Sequence, residues 1–178
     1  YLLTFIITAL PAYAVEGIAV INVQDAMLGT QAAEDAFKKL SEDPDFSAYV
    51  EEAQTIQAEM QAMGEKIQKD QEVMSPEEIS NLQKEYQEKT ADLEFVAGKI
   101  QQARQDLIQE LFQELAPEVN KIVSELISAK QIKLLLEKPG ALQQTPSVIL
   151  NFDSALDLTD DVTSMLDVAG ASADTQPE

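Results

Sequence analysis

The sequence predicts an α+β fold that is mainly α: a small β head, with a long antiparallel coiled-coil helical hairpin inserted between its first and second strands. Three observations predict it. Strand signals occur only near the two ends of the 178-residue chain, and apolar residues between them recur at heptad spacing. A single Ser-Pro, in the stretch VMSPEEIS at 73–80, divides that heptad pattern in two.

The first ten residues, YLLTFIITAL, are uncharged and mostly apolar, and Pro11 precedes Ala12-Tyr13-Ala14, the small-x-small pattern of a signal-peptidase site. This predicts a signal peptide over 1–14, cleaved after Ala14, in a copy whose basic leading segment is missing. The rival reading, an uncleaved anchor, needs about 20 apolar residues.

Residues 17–24, GIAVINVQ, are apolar and rich in β-branched side chains, which suits a strand containing Ile18, Val20, Ile21 and Val23. A short helix from Gln31 to Leu40 then leads to Asp43-Pro44, a capped helix start.

The hairpin carries the strongest pattern. Tyr49, Ala53, Ile56, Met60, Met63, Ile67 and Met74 form an a/d stripe that Asp70 interrupts. Beyond the Ser-Pro, Ile79, Leu82, Tyr86, Leu93, Val96, Ile100, Ala103 and Leu107 continue it, with Lys89 as the exception. Ser75 can cap a helix, Pro76 fits its first position, and Glu78 completes a Ser-x-x-Glu capping box. One helix must stop and another start within a few residues, which favours reversal near 75–76. The apolar positions then face one another in register, Ile67 with Tyr86, Met60 with Leu93 and Ala53 with Ile100. The hairpin spans 31–130, with helices of roughly 45 and 60 Å before Pro117, which is expected to kink the returning one. Beyond Pro117, Val119, Ile122, Val123, Leu126 and Ile127 widen the apolar face toward the strands.

After residue 131 the texture returns to short apolar runs: IKLLLE with Leu134 and Leu136, the turn Lys138-Pro139-Gly140, and PSVILNF with Val148 and Leu150. Thr159 offers an N-cap for a last helix to about Val168, and 169–178 is expected to be disordered. The head is thus 15–30 with 131–168. A head this small, in a chain without Cys, needs partners to be stable, so its apolar strand residues are also the expected oligomer core.

Composition excludes many functions. There is no Cys, His or Trp, which removes thiol and imidazole catalysis and Cys/His metal or haem sites. A net charge of −20 argues against nucleic acid and against anionic membrane surfaces. Asp153, Asp157, Asp160 and Asp161 lack the spacing of a calcium loop, and helix capping explains Asp160 and Asp161. Carboxylates on solvated helices, without a pocket, are not general acids or bases. We therefore expect no enzyme activity, no cofactor and no metal.

The order of these parts, with GIAVINVQDAMLGTQA near the start, the central hairpin, and QIKLLLEKPGALQQTPSVILNFDSALDLTDDVTSML with its -DLTDDV- motif near the end, resembles the Skp/OmpH family of periplasmic chaperones over about 17–167. The resemblance implies a homotrimer whose strands form a shared trimerisation head, without stable membrane insertion, in the periplasm of a Gram-negative bacterium. It also implies an ATP-independent holdase that keeps unfolded outer-membrane proteins in a cavity between hairpins. The other functional class is a structural coiled-coil spacer of the envelope with no client.

Candidate client contacts are Met60, Met63 and Met74, adaptable but also suited to filling the seam, and the off-seam Val73, Phe95 and Ile108. Ser75, Pro76 and Glu78 mark the tip. Leu111, Phe112 and Leu115 are apolar residues suited to packing lower on the returning helix. The well-studied chaperone of this family is basic, whereas residues 45–130 here carry 18 acids against 8 bases, and 64–80 carry 5 against 2. A basic-tip mechanism therefore does not transfer, and apolar contacts are expected to dominate client binding.

Overall fold

A computed structural model describes residues 17–70, 72–140, 149 and 151–173. Its elements are β1 (Ile18–Ile21), α1 (Val23–Leu28), α2 (Gln31–Glu42), α3 (Pro44–Asp70), α4 (Pro76–Ala129), β2 (Leu134–Glu137), a short 3-10 turn (Ser154–Leu156) and α5 (Thr159–Ala173). The predicted signal peptide and the residues Val148 and Leu150 lie outside the described residues.

The chain divides into two compact units, Gln31–Glu114 and the residues on either side of it. We call the first the hairpin unit and the second the strand unit. The sequence ends the hairpin at 130, whereas the units divide between Glu114 and Leu115, within α4. Wide burial explains the difference: Val119, Ile122 and Leu126, with Val123 and Ile127 partly covered, belong to the strand unit.

In the strand unit, β1 is flanked on both sides. It pairs in parallel with β2, Ile18 opposite Leu134 through Ile21 opposite Glu137. On its other edge the Leu158 amide donates to the Val20 carbonyl at 2.9 Å, and Val20 bridges Asp157. Parallel neighbours need a long crossover, and here it is the whole helical insertion. Ala19, Val20 and Ile21 are accordingly buried, together with Ala26 and Met27 of α1 and Val162 and Leu166 of α5.

Val23 does not continue the strand. It opens α1, because the Asn22 side chain accepts from the Asp25 amide at 2.7 Å and caps a helix there. A local cap thus overrides β-branched propensity. Pro117 does not end α4, which is helical from Pro76 to Ala129. The helix stops with Gln131 in the left-handed region, φ 54°, and the Ile132 amide donating to the Ile127 carbonyl at 2.9 Å, a Schellman-type ending on a non-glycine residue. At the other end of the chain α5 continues to Ala173, beyond the expected stop at Val168, so 169–173 are helical rather than disordered.

The hairpin unit follows its sequence closely. Asp43 Oδ1 accepts from the amides of Asp45 (3.0 Å) and Phe46 (2.9 Å), starting α3 at Pro44. Burial along both helices tracks the heptad. Ile56, Leu82 and Val96 are buried, and the remaining seam positions, including Asp70 and Lys89, are half-buried, except Tyr86. All other faces of α3 and of α4 as far as Glu110 are mostly exposed, as a narrow stripe requires. Among the described residues no helix is long and apolar enough to cross a membrane.

Candidate functional site

Two places concentrate the side chains that bear on function, one in each unit. The first is the outer part of the hairpin. Residues 72–74 form the turn, and the predicted capping box is present in full. The Ser75 amide and hydroxyl each donate to Glu78 Oε2 at 2.8 Å, and the Glu78 amide donates to Ser75 Oγ at 3.2 Å. These bonds from Ser75, helped weakly by Lys66, hold the Glu78 carboxyl below the usual carboxylate range. Pro76 stands at the first helical position, so the turn is fixed by the three residues that mark it in the sequence.

Between the end of α3, the turn and the first turns of α4 lies a groove of about 420 Å³. It is lined by the apolar Val73, Met74 and Leu82, by Asp70, Glu78, Glu85 and Asn81, and by Lys66, the one cation among the lining residues. Val73 is 83% exposed, whereas Met74 is half-buried and Leu82 buried.

Lower on the hairpin, α3 and α4 are joined by Lys89 Nζ to Glu59 Oε2 at 2.6 Å and by Arg104 over the Phe46 ring at 5.9 Å. The hydrogen bond that Lys89 donates to Glu59, with the nearby charges of Glu59, Asp92 and Glu85, raises the Lys89 pKa. Lys89, the exception in the seam, is thus matched across the pair rather than left facing apolar side chains.

The predicted contact residues separate by exposure. Met60 and Met63 are half-buried in the seam, and Ile108 is half-buried on α4. Phe95 stands out at 65% exposure, with Lys99 Nζ one turn on and 5.3 Å from its ring centroid. Tyr86, assigned to the seam, is 41% exposed. Its position beside the polar Lys89 and its hydroxyl, which favours water, are the signals that point outward. Leu111 is buried, and Phe112 and Leu115 are half-buried.

The second place is a polar cluster in the strand unit that sequence reasoning did not find. Asn22 is 1% exposed, and each polar atom of its side chain has a partner. Its amide donates to Thr159 Oγ1 (3.0 Å), its Nδ2 donates to the Lys138 carbonyl (2.9 Å), and its Oδ1 caps α1. The Thr159 hydroxyl donates a hydrogen bond to Asp157 Oδ1 at 2.6 Å, and Asp157 also accepts from the Thr159 amide at 3.0 Å and forms an ion pair with Lys138. Partial burial pushes the Asp157 pKa up. The bonds from Lys138 and Thr159 outweigh it and leave the carboxyl below the usual range. One turn on, Thr163 Oγ1 donates to the Ala26 carbonyl at 3.0 Å, tying α5 to α1.

Thr159 was expected to cap α5. Its hydroxyl is instead engaged by Asn22 and Asp157, and the Asp157 carboxylate takes the first helical amide. A clue lay in Gly140. A Cβ there would fall 2.6 Å from Asn22 Nδ2 and 2.9 Å from Asp25 Oδ1, so the Lys138-Pro139-Gly140 turn brings backbone against α1's cap.

Asp153 caps the 3-10 turn, with the Ala155 amide at 3.0 Å, and Asp161 pairs with Lys130 at 2.6 Å. Of the expected head core, Val20 and Ile21 are buried, and Ile18 and Val23 are half-buried. Leu134 and Leu136, two residues apart on one face of β2, are exposed.

Comparison with known proteins gives one family. The model of the family described as outer membrane protein (OmpH-like) matches residues 17–166. That span covers the whole hairpin unit, reaches into both segments of the strand unit and ends inside α5. No curated protein matches the chain. Among solved structures, one described as a candidate outer membrane chaperone (OmpH-like) from Caulobacter crescentus CB15 aligns over 94% of this chain and 92% of its own, at 15% identity and a TM-score of 0.48.

Proposed function

Because the chain belongs to the OmpH-like family of outer membrane proteins, we propose that it is an ATP-independent holdase of the periplasm of a Gram-negative bacterium. Unfolded outer-membrane proteins would be held in a cavity between the hairpins of a homotrimer and so kept from aggregating. A holdase needs dispersed apolar contacts that do not select one sequence, on a surface polar enough to keep the loaded complex in solution.

The observation that carries this reading is the hairpin's surface. Its seam is filled by its own heptad residues, while Val73 and Phe95 stand outside it, exposed. Apolar contact holds the client, since the acidic hairpin repels the anionic segments that a basic relative attracts. The exposed Leu134 and Leu136 support association of strand units, because an apolar strand face suits burial against another copy. No cofactor and no covalent chemistry enter this function.

Diluting a urea-denatured outer-membrane β-barrel into buffer, with and without the protein, tests the holdase. Light scattering should be suppressed at about one trimer per client. No suppression would leave the coiled-coil spacer as the reading. Sedimentation of the same sample should give a trimer, and a stable monomer would remove the cavity. A loaded complex that fell apart on moving from low to moderate salt would show that charge, not apolar contact, holds the client.

A further inference from the structure

The groove at the turn of the hairpin brings apolar and anionic side chains together in one concavity. Its lining joins the apolar Val73, Met74 and Leu82 to the carboxylates of Asp70, Glu78 and Glu85, which we call its rim, with Lys66 the one cation among the lining residues. Around it the chain stays acidic, with 5 acids to 2 bases over 64–80. From this charge complementarity we propose that the groove selects client segments in which Lys or Arg alternates with apolar residues, and disfavours equally apolar segments carrying Asp or Glu.

The inference deepens the holdase reading and rests on it for the identity of the occupant. In an extended segment successive side chains point to opposite sides. One side can therefore enter between Val73 and Leu82 while cations on the other meet the rim carboxylates. Apolar burial supplies the grip and the rim supplies the choice, because exposed ion pairs are individually weak but add when several face one segment. Glu78 is kept in place by its bonds to Ser75, so one rim charge is fixed before any segment arrives.

The test uses the full chain and three labelled peptides, identical in their apolar residues and differing only in whether Lys, Gln or Glu alternates with them. Fluorescence anisotropy should rank them Lys, Gln, Glu, with the Lys peptide bound roughly tenfold tighter than the Gln peptide at low salt. In the double variant Asp70→Asn with Glu85→Gln, which spares the Ser75–Glu78 cap, that preference should shrink to under about threefold. Glu51→Gln with Glu110→Gln, an equal change of charge away from the groove, should leave it intact. Val73→Ser should weaken all three peptides by a similar factor.

Equal binding of the three peptides overturns the proposal. So does a preference that survives in the groove variant, or one lost equally in the distant variant. Circular dichroism melts confirm that each variant keeps its helices. Aggregation suppression measured in parallel separates this proposal from the holdase. Suppression with equal peptide binding removes the charge selection alone, whereas groove-dependent binding of the Lys peptide without suppression removes the holdase alone.

Discussion

In the hairpin unit the buried side chains Ile56, Leu82 and Val96 recur along a stripe and are all apolar, and the polar links between α3 and α4 are surface pairs such as Lys89 with Glu59. In the strand unit the apolar core around Val20 and Val162 is joined to Asn22, Thr159, Asp157 and Lys138, whose bonds connect residues up to 137 positions apart. A stripe tolerates exchange, because each layer resembles the next and no bond is unique. A buried polar cluster does not, because losing one partner leaves another unsatisfied. This contrast suits the proposed holdase, whose hairpin would meet varied clients while its strand unit would assemble in one way.

The sharpest way to break the contrast is in the cluster. Asn22→Ala removes a helix cap and the donor to the Lys138 carbonyl from a fully buried site, and should cost about 3 kcal/mol in urea unfolding. An effect no larger than that of a surface substitution would mean that the cluster adds nothing beyond apolar packing.

Acid should reach the strand unit through Asp157. Since folding holds its carboxyl below the usual range, the unfolded chain takes up the proton first as pH falls. The stabilisation is complete above about pH 4 and is lost as pH descends from there through the lower, folded value. Asp157→Asn should lower stability at neutral pH and flatten the acid limb of a pH series. An unchanged acid limb would assign the acid sensitivity to other carboxylates.

The smallest effects belong to the hairpin. Ser75→Ala loses a helix cap and should cost about 1 kcal/mol, read by the first transition in a thermal melt. Glu59→Gln should leave that transition within measurement error, because its pair with Lys89 is largely solvated. A large loss for Glu59→Gln would make the Lys89 position a register lock rather than a tolerated exception.

Legibility divides along the same line. The heptad, the Asp43 cap and the Ser75–Glu78 box are local patterns, so α3, the turn and most of α4 are readable residue by residue. Tyr86 escapes because heptad position says nothing about a hydroxyl beside a lysine. In the strand unit, both described strands announce themselves by apolar runs, yet their parallel pairing spans 116 positions and leaves no local mark. Val23 is misplaced because Asn22, ordinary in sequence, acts as a cap. Thr159 and Asp157 look like helix-start residues, and only the fold shows that they are spent on a distant amide and a distant lysine. The groove was half legible. Its acids and its valine could be counted, but not their convergence on one concavity.

β1 lies between two neighbours, β2 and the Asp157–Leu158 segment, which both arrive more than a hundred residues later. This imposes an order of assembly. As the chain emerges during synthesis, Ile18–Ile21 lacks these two neighbours until Leu134–Glu137 and then Leu158 have followed. The helical hairpin is made of near contacts and can form in the interval. Its formation shortens the loose tether that strand pairing must close, which lowers the entropic cost of that late step. Of the two described strands, the one earlier in the sequence thus waits longest for its neighbours.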